Sequence, residues 1–131
     1  MLSLMQQGVD ILGRIEDKNE ELQYLINLGK FICCCTQTGI NAKNWHLLTS
    51  KLKTENNRNE IQKLICEIEG LANEEIKNAE DAIPLVELDS RLGWEPSMEY
   101  MTDAEHIKWK IRQVRYVLES ELAAYKKSLE L

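Results

Sequence analysis

Seven apolar residues near the C-terminus, Ile107, Ile111, Val114, Leu118, Leu122, Tyr125 and Leu129, are spaced by four, three, four, four, three and four. Only a helix gathers such positions onto one face, because about 3.6 residues complete a turn. A second run, Ile61, Leu64, Ile65, Ile68, Leu71, Ala72, Ile76, Ala79 and Ile83, keeps the same rhythm for about six turns. Two amphipathic helices of this length must bury their stripes against other helices. The chain is therefore constrained to a helical bundle before any other residue is considered.

The boundaries follow from local chemistry. Thr102-Asp103-Ala104-Glu105 fits a capping box, which starts the last helix at Thr102. Lys126 and Lys127 complement the dipole at its end. Pro84 lacks an amide donor and disfavours helix at Ile83, so the third helix is expected to stop or kink there. That helix begins near Asn59 or Glu60, after the polar stretch Thr54–Asn59. A long second helix runs from Glu20 to about Leu52, with Asn19 as its cap. Its stripe is Leu22, Leu25, Ile26, Gly29, Ile32, Cys33, Thr36 and Ile40. The small Gly29, Cys33, Thr36 and Gly39 would let a neighbouring helix approach closely, and Gly39 with Asn41 leaves a kink open. Met5, Val9, Leu12 and Ile15 mark a shorter first helix over residues 2 to about 16, weakened by Gly8 and Gly13. The expected fold is all-α: an antiparallel bundle of three long helices plus a shorter N-terminal helix, with one ordered loop before the last helix. The sequence carries no strand signal and no internal repeat.

Composition narrows the function classes. At 131 residues the chain forms a single helical domain, 1–131, with a modest core. A net charge of −6 argues against nucleic acid, whose backbone needs clustered Lys and Arg. No apolar run spans a membrane and no signal peptide is visible, which suits a cytoplasmic protein and leaves export of a longer parent open. Cys33, Cys34 and Cys35 point about 100° apart on a helix, so they do not converge on a metal, and with Cys66 they read as small, buried, reduced hydrophobes. Trp45, Trp94 and Trp109 read as packing joints. His46 and His106 have no ligand-spaced partners. Lys108, Lys110, Arg112 and Arg115 form a basic face, ordinarily solvated and otherwise a surface for an acidic partner. The residues call for no cofactor and no metal.

One stretch escapes the helical rule. Asp89-Ser90-Arg91-Leu92-Gly93-Trp94-Glu95-Pro96-Ser97-Met98-Glu99-Tyr100 concentrates an arginine, three carboxylates, two aromatics, a glycine and a proline. Gly93 and Pro96 shape the turn, and Trp94 and Tyr100 are expected against the bundle or against something outside it. Asp89 and Arg91 are placed to pair, or Arg91 presents its fork to an external carboxylate or sugar hydroxyl. Glu95 and Glu99 bring to mind the paired carboxylates of glycoside hydrolysis, but nothing in the sequence fixes their separation or buries either.

The run Asp89-Ser90-Arg91-Leu92-Gly93-Trp94-Glu95-Pro96-Ser97, followed by Tyr100 and a helix, resembles the extreme C-terminal part of large bacterial carbohydrate-active proteins related to the alpha-glucuronidase-like glycoside hydrolases. There, such a run links two helices of an all-α region that follows a catalytic barrel. The resemblance implies that the chain is a non-catalytic C-terminal fragment, loop 89–101 included, packing on the parent's catalytic barrel and helping shape a carbohydrate site. Asp89 and Arg91 would order the loop, and Trp94, Glu95, Glu99 and Tyr100 would touch substrate or barrel. The family's catalytic carboxylates lie in the barrel and map onto no residue here. The rival expectation is a self-contained interaction module that forms a homodimer through helix two or helix four.

Overall fold

The computed structural model describes residues 1–92, 94–95 and 100–129, with 94–95 and 100–101 described by backbone alone. The chain is all-helical in character. Helix α1 spans Leu2–Gly13, α2 Glu20–Thr54, α3 Arg58–Leu88, α4 Ala104–Tyr116 and α5 Ala123–Ser128, and a π-helical stretch, Val117–Leu122, joins the last two. Between α3 and α4 lie β1 (Trp94–Glu95) and β2 (Tyr100–Met101), antiparallel, with Trp94 opposite Met101 and Glu95 opposite Tyr100. A two-residue ladder is too short for sequence alternation to announce. No helix among the described residues is long and apolar enough to cross a membrane.

The helix ends show what stops each element. The Asn19 side chain accepts from the Leu22 amide at 2.8 Å, capping α2 as its sequence predicts. Asn57 accepts from the amides of Asn59 and Glu60, so α3 begins at Arg58, slightly earlier than expected. The last helix is capped by Asp103 and not by Thr102: Asp103 Oδ1 accepts from the His106 amide at 2.8 Å. A carboxylate is the better cap, because its charge also faces the positive helix terminus. The His106 ring lies 2.8 Å from the same oxygen. That amide and ring hold the Asp103 carboxyl below the usual carboxylate range.

One open point is resolved and two further expectations are revised. Helix α2 runs without a break through Gly39, where nothing lies within 4 Å of the position a Cβ would take. Helix α3 continues through Pro84 to Leu88, because Leu85 and Val86 in the following turn are buried in the core, which outweighs one missing hydrogen bond. The C-terminal stripe is held by a π turn. Consecutive spacings of four at Val114, Leu118 and Leu122 overrun an α-helical turn, and the wider π turn returns Leu122 to the core.

Helix α2 is the shared element, packing on α1 through one face and on α3 through another, while α4 packs on α3. Val9, Ile26 and Cys33 form the α1–α2 cluster. Phe31, Ile76, Ala79, Ala82, Leu85, Val86, Leu92, Ile107 and Ile111 form the central one. Ile65, Ile68 and Leu122 form a third, with half-buried Trp45 against it. The single α2 stripe expected from the sequence is thus divided, and Leu25, Ile32 and Ile40 are exposed. Trp109 is exposed as well, so it is not a packing joint.

Helix α1 sits close to α2 because Gly29 offers no side chain: a Cβ there would stand 2.7 Å from Val9 Cγ2. Gly29→Leu should therefore unseat α1. Amide hydrogen exchange over residues 2–13 would rise toward that of an unprotected peptide while α3 keeps its protection. Unchanged exchange in α1 would mean that the Val9–Gly29 contact does not hold it.

Candidate functional site

The loop after α3 begins with a tight intramolecular clasp. Asp89 Oδ1 accepts from Arg91 Nε at 2.8 Å and from the Arg91 amide at 3.0 Å, and Oδ2 accepts from Arg91 Nη2 at 2.8 Å. The guanidinium lies 5.4 Å from the Tyr24 ring centroid, a cation–π contact onto α2. Leu92, the next residue, is buried among Phe31, Leu85 and Val86. The Asp89 side chain is 12% exposed and that of Arg91 75%. The hydrogen bonds from the Arg91 side chain, and then from its amide, hold the Asp89 carboxyl at about 2, from an ordinary 3.8. Of the predicted site residues, the structure therefore brings Asp89 and Arg91 together. Trp94, Glu95 and Tyr100 lie in the short ladder, but their side chains fall outside the described residues, as does Glu99 altogether, along with the turn residues Gly93 and Pro96. Tyr24 belongs to this cluster and was missed, because nothing in sequence spacing links it to a loop sixty-odd residues away.

A second constellation lies where α2, α3 and α4 meet. Glu75 accepts from Thr38 Oγ1 at 2.8 Å and from Asn41 Nδ2 at 2.7 Å, and it forms an ion pair with Lys110. Asn78 Nδ2 donates to the Cys34 carbonyl and to Thr38 Oγ1, both at 3.0 Å. Gln37 Nε2 closes the set by donating to Asn41 Oδ1 at 2.7 Å. Sequence reading gives Glu75 and Thr38 no role and Asn41 only a possible kink, since single polar residues within apolar stripes look solvated until their neighbours are known. Beside the network is a cavity of about 350 Å³ walled by Ala42, Trp45, Leu71, Ala72, Val114 and Val117. Thr38, Asn41, Glu75 and Lys110 at its edge are already bonded to one another, so it accommodates an apolar group and presents no free general acid or base. The basic face of α4 likewise meets acids of its own chain: Lys108 pairs with Glu105 at 2.9 Å and Glu87 at 3.8 Å, and Arg115 with Glu80 at 2.8 Å.

The cysteines divide. Cys33 is buried and Cys34 half-buried, whereas Cys35 and Cys66 are exposed, against the expectation that all four are interior. Burial, and after it the nearby Asp81, pushes the Cys34 thiol up to about 11, and burial raises Cys33 and Cys35 too. These three remain thiols at neutral pH, so none is an activated nucleophile. No three His, Cys, Asp or Glu side chains among the described residues converge to hold a metal ion.

The third feature is the outward face of α2. From Leu22 to Ala42 the only charged residue is Lys30. Leu25, Leu28 and Ile32, at helical spacing, are 53%, 41% and 40% exposed. On α1, Leu4 and Ile11 are exposed, as is Ile15 just beyond its end. Scattered surface leucines are ordinary, whereas this row shares one face of a helix with few charges.

Two outcomes test these clusters. Glu75→Leu strands the buried Asn41 amide and the Lys110 charge, and chemical denaturation should show a loss of about 1–3 kcal/mol. No loss would mean that solvent already satisfies the network. Asp89→Asn should lower Tm at pH 6, where the native carboxylate is charged and clasped. Because the folded value lies below the unfolded one, the stabilisation is complete above about pH 4 and disappears as pH falls through about 2, so the two melting curves should converge there. A pH-independent gap would point to lost packing instead. No protein-family model, no curated protein and no solved structure matches this chain.

Proposed function

We propose that this chain is a non-catalytic helical docking module, an antiparallel bundle whose working surface is the outward face of α2. One observation carries the reading: the row Leu25, Leu28 and Ile32 is exposed within a tract whose sole charge is Lys30. Fully burying such a side chain is worth about 1.5–3 kcal/mol; these three are already about half covered, so each would add on the order of 1 kcal/mol on contact. The module needs no cofactor for this, and the bonded state of the interior polar groups argues for scaffold duty over catalysis.

A second reading rests on the resemblance at Asp89–Tyr100. In it the docking partner is the catalytic barrel of a longer glycoside-hydrolase-like protein, and Trp94, Glu95, Glu99 and Tyr100 reach the barrel or its carbohydrate. The organised start of that loop, with Asp89 clasping Arg91 over Tyr24, supports it. The genomic sequence upstream of the Met1 codon decides between them: an in-frame barrel favours this second reading, and its absence removes it.

The docking reading itself is tested on the chain alone. A Leu25→Gln, Leu28→Gln, Ile32→Gln triple variant should keep the wild-type Tm at low micromolar concentration within about 3 °C, since these side chains are not core. It should also lose most of the fluorescence enhancement of the neutral apolar dye N-phenyl-1-naphthylamine. A fall in Tm of 10 °C or so would show that the row is interior and would sink the reading.

A further inference from the structure

The outward face of α2 has an internal symmetry. Glu21, Leu25, Leu28, Ile32, Thr36, Gly39 and Lys43 are spaced by four, three, four, four, three and four, a series that reads the same from either end. All seven lie within one helix, Glu20–Thr54, that runs straight through Gly39. Eleven residues on each side of Ile32 is close to three full turns, so Glu21 and Lys43 share its face. What differs between the two ends is chemistry. An acid stands at one end and a base at the other, with large side chains in one half and small ones in the other.

From this pattern we infer that the module pairs with a second copy of itself, α2 against α2 in antiparallel sense, about a two-fold axis through Ile32. Under that operation Ile32 meets Ile32, Leu28 lies over Thr36 of the second copy, and Leu25 over its Gly39. Glu21 faces Lys43 of the second copy, and the symmetry makes this contact twice. Gly39 has nothing within 4 Å of its Cβ position, so it is an open seat for a leucine. Neither Glu21 nor Lys43 has an ion-pair partner among the described residues, although most of the basic residues of α4 do. The opposite, parallel arrangement would place Glu21 on Glu21 and Lys43 on Lys43, which like-charge repulsion disfavours. Large side chains would then also face large, and small face small, leaving gaps around Gly39.

The pairing rests on the docking reading and specifies its partner. From Glu21 to Lys43 the row is about 33 Å long. A single helix pair of that length gives a contact at the small end of specific interfaces, so a dimer that dissociates on dilution is expected.

The experiment is sedimentation equilibrium of the full chain from about 1 to 300 μM, a range suited to a weak interface. The expected result is a mass rising toward twice 15.2 kDa. Glu21→Lys and Lys43→Glu should each weaken the dimer by roughly tenfold at low salt, since each places two like-charge pairs in the interface. The double variant Glu21→Lys with Lys43→Glu should return the dissociation constant to within about twofold of wild type. Both positions are exposed, so circular dichroism should show all three variants folded. A monomer at every concentration overturns the pairing, as does a dimer indifferent to the single reversals, or a double variant no better than either single. None of these results touches the docking reading, which stands or falls on the melting of the glutamine triple variant.

Discussion

Glu75 sets the mutual register of α2, α3 and α4. Apolar stripes at three- and four-residue spacing tolerate sliding by a turn, because leucine and isoleucine repeat and dispersion is not directional. A carboxylate that is only partly exposed, accepting from Thr38 and Asn41 on α2 while paired with Lys110 on α4, permits one alignment of three helices. Slipping α3 by one turn would strand the carboxylate and the buried Asn41 amide together. Each unsatisfied group would cost about 1–3 kcal/mol, a large fraction of a small domain's stability. Partners on α2 and α3 occur in reversed order, Cys34 with Asn78 and Asn41 with Glu75, so the same contacts also fix direction.

That register decides which side of α2 is left outside. Facing α3 with Phe31, Thr38, Asn41 and Trp45, and facing α1 with Ile26, Gly29 and Cys33, the helix has already committed two of its sides. Leu25, Leu28 and Ile32 occupy what remains. Their exposure follows from the sides that the polar contacts and the α1 seat have already taken. Among the described residues, Asn27 is a point of tension. It is buried, its Oδ1 accepts from Gln23 at 3.2 Å, and its Nδ2 finds no acceptor among the described residues.

Much of this fold was legible in the sequence, and what was not has identifiable causes. The stripes of α3 and α4 gave their core positions because each helix buries one face only. Helix α2 packs on two sides, so its apolar residues go almost all round and periodicity alone does not say which are buried; for that reason its stripe misses Phe31 and includes the exposed Ile32. Pro84 was read by its local preference, which the burial of Leu85 and Val86 overrides. Thr102 and Asp103 are adjacent capping residues, and one position decides between a hydroxyl and a carboxylate. In the loop, the pairing of Asp89 with Arg91 was readable because it spans two residues. Tyr24 beneath Arg91 was not, because the contact crosses the bundle. The Glu75 hub was invisible for the same reason: its members come from three helices and have no common spacing.

Helix α1 connects these points. It packs on α2, through Val9 against Gly29, Ile26 and Cys33. A short helix of about three turns is marginal by itself, and burial of a single valine with half-covered Leu2 and Met5 is modest anchorage. The segment of α2 beneath it, from Leu22 to Cys33, carries the exposed row on its other side and rests on α3 chiefly through Phe31. Helix α1 therefore depends on α2 for its place, as α2 depends on the Glu75 network for its own alignment.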